Sequence, residues 1–110
     1  MAIILKKYKI NLIKMLKNDA TCNITILVIS GCIACDIVVH NVKEAVTFNT
    51  KLPISINIKN YKDLTPSTRK RMKLKDFPTV IFRKDKTETF RFSGSTAVAC
   101  IIRYIDLYLK

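Results

Sequence analysis

The chain has 110 residues, enough to bury one hydrophobic core without a metal or disulfide staple. With 49% hydrophobic residues, 25% charged and only 2 Gly, it is neither low-complexity nor disordered, and no internal repeat is visible. The excess of 20 Lys+Arg over 8 Asp+Glu gives +12, which favours anionic partners without choosing among nucleic acid, acidic protein and phospholipid head groups.

A single domain over residues 1–110 is expected, since no linker divides the pattern. The opening MAIILKKYKINLIKMLK places Lys6, Lys7 and Lys9 where a signal peptide or membrane span needs an uncharged apolar run, so neither is expected. Tyr8, Leu12, Met15 and Leu16 recur at helical spacing over residues 6–17, with lysines on the other side. Residues 1–20 are thus expected to hold an N-terminal helix packed on the core. A cytoplasmic location is expected, where 4 Cys would be free thiols, metal ligands or redox centres. A virus particle or another oxidising site is the alternative location.

NITILVIS, residues 23–30, is short, β-branched and bounded by polar residues, as a buried central strand should be. In the next segment Cys35, Val38, Val39, Val42, Ala45 and Val46 form one helical stripe, which turns Cys35 toward the core. ISINIK, residues 54–59, is a second strand after Pro53. Thr65 and Pro66 have the side chains of an N-cap and first helical position, predicting a short helix that carries RKRMKLK, residues 69–75. TVIFR (79–83) and ETFRF (88–92) flank the polar turn KDKT as an antiparallel hairpin. A last helix buries Val98, Ile101, Ile102, Ile105 and Leu109. This order predicts a βαβ unit, a crossover helix and a hairpin, hence an α/β fold with a mixed sheet and helices on both faces.

The chemistry concentrates in C-I-A-C, Cys32 to Cys35, where the first strand gives way to a helix. Two cysteines three apart on a first helical turn can close a small disulfide ring. The first lies where backbone N–H groups and the helix dipole favour an anion. Cys32 is therefore expected to be the accessible thiolate and Cys35 the sheltered resolving sulfur. Zinc would need four ligands close together. Cys22 precedes the strand that Cys32 follows, roughly 25 to 30 Å away along extended chain, so it is out of reach. His40 is expected to face solvent near Asp36, and Cys100, inside an apolar helix, to be an inert buried thiol. No metal or cofactor is implied.

FPTVIF, residues 77–82, sets Pro78 just ahead of a strand, where a proline gives up no ladder hydrogen bond. Together with C-x-x-C after the first strand, the hairpin, Gly94 and the final helix, F-P-T resembles the thioredoxin-like family over roughly residues 22–110. The resemblance implies a thiol-disulfide oxidoreductase in which Cys32 attacks and Cys35 resolves, acting on protein thiols or disulfides. It further implies that Pro78 is cis and faces the cysteines, and that Phe77, Pro78 and Thr79 form the substrate-binding loop. Thioredoxins proper usually carry Trp where this chain has Gly31, and Gly-Pro where it has Ile33-Ala34. They also bury an acid in the preceding strand, which here has none, removing a proton acceptor for the resolving thiol. The Ile-, Lys- and Asn-rich composition is similar to that of thioredoxin-like proteins of large DNA viruses.

The run RKRMKLK leads into the Phe77 loop. It is either a solvated or localisation-type basic face, or a source of positive potential near Cys32 that favours acidic partner proteins. Two alternatives to an oxidoreductase stay open at this point. One is a binding or structural protein on the same fold with a non-catalytic cysteine pair; the other is a basic nucleic-acid-binding module.

Overall fold

The structure, a computed structural model, describes residues 22–49 and 52–110. The expected N-terminal helix lies outside these residues. Strand β1 (Cys22–Val28) occupies the middle of a four-stranded sheet with β2 (Ile54–Asn60), β3 (Thr79–Lys84) and β4 (Thr87–Ser93), in the order β2-β1-β3-β4. β1 pairs parallel with β2 and antiparallel with β3, and β3 pairs antiparallel with β4, which gives the mixed sheet expected from the sequence.

Cross-strand partners share a face. Ile24, Phe82 and Phe90 line up in this way, as do Ile26, Val80 and Phe92. Helices α1 (Ile33–Thr47) and α3 (Val98–Tyr108) pack over this side, where Val38, Val42, Ala45, Ile101 and Ile105 complete the core. The stripe expected on α1 is the stripe that is buried, with Val39 and Val46 at its margins. Helix α2 (Pro66–Met72) lies toward the other face. There Arg91, on the same side as Ile81 and Thr25, donates Nη1 to the Met72 carbonyl at 2.9 Å. That side carries a polar ladder: Arg83 donates to Thr25, Thr25 to Asn23, and Asn23 to Ser55.

Several local expectations need correction. The basic run does not stay on α2, because Lys73 adopts the left-handed conformation (φ 53°) and ends the helix at Met72. Cys100 is exposed, since it sits beside Ile101 but off the face shared by Ile101 and Ile105. Cys22 is the first residue of β1, not a residue ahead of it, and its sulfur donates to the Leu109 carbonyl at 3.4 Å. His40 is exposed as expected, but the carboxylate its ring approaches is that of Glu44, one turn on, at 3.4 Å. In the hairpin, Asp85 and Lys86 take positive φ, the pair of left-handed residues that a two-residue turn needs to match strand twist.

Candidate functional site

The sheet register brings three chain segments to one end of the molecule. Val28 pairs with Asn60, and Leu27 pairs with Thr79. The end of β1, the end of β2 and the start of β3 therefore coincide, and from them emerge Gly31–Cys32, a 3₁₀ turn at Tyr61–Asp63, and Phe77–Pro78. Gly94 N–H donates to the Pro78 carbonyl at 3.0 Å, tying the end of β4 to the same place.

Gly31 has φ 71°, and a Cβ there would meet nothing within 4 Å. It is the backbone conformation, not crowding, that suits glycine between β1 and α1. Cys32 is the N-cap of α1, with extended backbone, and its sulfur accepts the Cys35 N–H at 3.1 Å. A thiolate at this position would gain a hydrogen bond and the positive end of the helix dipole together. Cys35, on the first turn, is 2% exposed. The two are joined as a disulfide, with Cα atoms 5.2 Å apart. Ile33 between them is 78% exposed.

Pro78 and Thr79 are buried, and the Phe77–Pro78 peptide bond is cis. Thr79 donates its hydroxyl to the Asp76 carbonyl, bracing the loop from within. Among the described residues, nothing hydrogen-bonds the backbone N–H or carbonyl of Phe77. Its ring meets Tyr61 edge-on at 5.1 Å, and Arg69 lies over Tyr61, 4.2 Å from the ring centroid. Arg69 also donates to the Tyr61 carbonyl at 3.2 Å and the Lys62 carbonyl at 3.4 Å. Neither Tyr61 nor the bracing role of Arg69 was foreseen from sequence, because both depend on the crossover between β2 and β3.

On the other flank of the cysteine pair, a groove of about 370 Å³ is lined by Cys35, Asp36, His40, Lys43 and Ile58, among others. Ile26, in the strand leading to the site, is fully buried, and its core-facing position carries no acid. Among the described residues, no group of three or more His, Cys, Asp or Glu side chains could hold a metal ion.

This sheet order, with the disulfide at the N-terminus of α1 and the hairpin after Pro78, defines a thioredoxin-like fold. Solved structures agree: the chain is similar to thioredoxin-2 of the malaria parasite, described as a component of its protein secretion machinery (18% identity, TM-score 0.69, covering 80% of this chain and 84% of that one). It is similar also to a malarial protein (20% identity, TM-score 0.69, 82% and 99% covered) and to thioredoxin f2 of Chlamydomonas reinhardtii (15% identity, TM-score 0.64, 80% and 79% covered). At these identities the likeness is one of fold. No family model and no curated protein matches the sequence. No helix among the described residues is long and apolar enough to cross a membrane.

Proposed function

We propose that the protein is a thiol-disulfide oxidoreductase that exchanges disulfides with polypeptide substrates through Cys32 and Cys35. The observation that carries this is the asymmetry of the pair, with Cys32 partly exposed as the helix N-cap and Cys35 beneath it at 2% exposure. In the reducing direction the Cys32 thiolate attacks one sulfur of a substrate disulfide. A mixed disulfide forms, and the first substrate thiolate leaves and takes up a proton. Cys35, after losing its proton, attacks the Cys32 sulfur; the second substrate thiolate departs and the Cys32–Cys35 disulfide remains. Two electrons pass from the dithiol to the substrate, and oxidation runs the same steps backward. Phe77, Pro78 and Thr79 form the substrate loop, with the backbone of Phe77, which no described residue hydrogen-bonds, able to pair with an extended chain as a sheet edge does.

Trapping tests this division of labour. Cys35→Ser should accumulate reductant-sensitive covalent adducts with disulfide-bearing polypeptides, because nothing resolves the mixed disulfide, whereas Cys32→Ser should form none. Equal trapping by both variants, or none by either, would favour a binding protein with a non-catalytic cysteine pair.

A further inference from the structure

Between residues 61 and 77 the sequence holds six cationic residues, Lys62, Arg69, Lys70, Arg71, Lys73 and Lys75, against two carboxylates, Asp63 and Asp76. The structure separates them by role. Arg69 is engaged with Tyr61 and two carbonyls, whereas Lys70, Arg71, Lys73 and Lys75 are exposed and in no ion pair among the described residues. Because α2 stops at Met72, Lys73 and Lys75 lie in the segment that leads directly into Phe77, whose backbone no described residue hydrogen-bonds.

We infer that this flank docks acidic polypeptide segments, so that a substrate chain paired along Phe77 is selected by carboxylates that meet Lys70, Lys73 and Lys75. The inference rests on the oxidoreductase function proposed above and adds the class of substrate. Cations that outnumber the two carboxylates of the segment, beside a backbone that no described residue pairs, supply both elements of such recognition: long-range attraction, which raises encounter rates, and local pairing, which fixes the chain. A polypeptide fits better than nucleic acid. The backbone groups of Phe77, which no described residue pairs, match a peptide backbone, while one face of Tyr61 is covered by Arg69 and its ring is packed against Phe77, leaving little platform for stacked bases.

The test uses the full chain and a fluorescent, cysteine-free acidic peptide, with neutral and basic peptides of the same length, followed by anisotropy at low salt. The acidic peptide should bind at least roughly tenfold more tightly than the neutral one. The triple variant Lys70→Glu, Lys73→Glu, Lys75→Glu should lose that preference. A control of equal charge change, Lys84→Glu, Lys86→Glu, Arg103→Glu, reverses two cations at the opposite end of the hairpin and one on α3 and should keep most of it. Equal loss in both variants would show an effect of overall charge and overturn the inference. So would equal binding of acidic and neutral peptides, or tighter binding of a single-stranded oligonucleotide than of the acidic peptide. Exchange with hydroxyethyl disulfide, measured alongside, reports on the dithiol alone. Acidic-peptide binding without any such exchange would remove the oxidoreductase function and leave the docking surface, while exchange without acidic preference would do the reverse.

Discussion

Phe77 has no backbone hydrogen bond among the described residues, while its side chain is held firmly. Its ring leans on Tyr61, and Tyr61 is fixed by the guanidinium of Arg69, so the loop is braced from β2's exit and from α2 at once. An aromatic pair contributes about 0.5–1.5 kcal/mol and a cation–π contact at a partly exposed site about 0.5–1. Tyr61→Ala should therefore cost about 1–2.5 kcal/mol in denaturant unfolding. If the loop receives substrate, the same variant should raise KM for a peptide disulfide more than it lowers kcat, and Tyr61→Phe, which keeps the ring, should restore both. A stability loss with no change in KM would make the brace purely structural. The cysteines were legible from spacing alone, because C-x-x-C and the helix stripe are local patterns. The brace was not, since Tyr61 and Phe77 are 16 residues apart and meet only after the crossover.

Element types followed from periodicity, while their ends depended on single residues whose conformations sequence does not announce. Thr65 capped α2 as expected, its hydroxyl oxygen accepting the Thr68 N–H at 3.2 Å, because an N-cap is written in side-chain chemistry. The end of the same helix was missed because lysine is an unusual left-handed residue and gives no signal. Past that end, Arg91 joins β4 to α2: it is bidentate to Glu88, at 2.6 and 2.8 Å, and donates to the Met72 carbonyl. The hydrogen bond from Arg91 holds the Glu88 carboxyl below its ordinary pKa and raises that of Arg91. For a carboxyl whose folded pKa is depressed, the stabilisation is present above the unfolded value and is lost as pH falls through the folded one. The window thus lies below the ordinary value of 4.5, and the Arg91 shift has no consequence near neutrality. Both side chains remain about a third exposed, so after solvent screening the pair is worth well under 1 kcal/mol. Glu88→Gln should remove a small part of the stability lost on acidification below about pH 4.5 while leaving the rest of the acid limb in place. An unchanged acid limb would mean that the pair is as strong in the unfolded chain.

At the scale of the whole molecule, two kinds of surface oppose one another. The face under α1 and α3 is apolar and closed, whereas the formal charge of +12 has few carboxylates to offset it. The two Lys or Arg ion pairs among the described residues join neighbours in sequence, at separations of three and four, so neither ties distant elements together against the mutual repulsion of the cations. Repulsion between exposed like charges is screened by salt, with a Debye length near 10 Å at 0.1 M and about 3 Å at 1 M. Raising sodium chloride from about 20 mM to about 0.5 M should therefore raise the melting temperature, since the folded state concentrates cations that the unfolded chain holds farther apart. Chloride suits the measurement better than sulfate, which strengthens apolar burial on its own account. Over the same salt series, binding of an acidic peptide should weaken, because screening removes the attraction that draws it to Lys70, Lys73 and Lys75. The two curves should run in opposite directions from one cause. A melting temperature that falls with chloride would mean that attractive pairs outweigh repulsion in the folded state, and the account of an uncompensated basic surface would then be wrong.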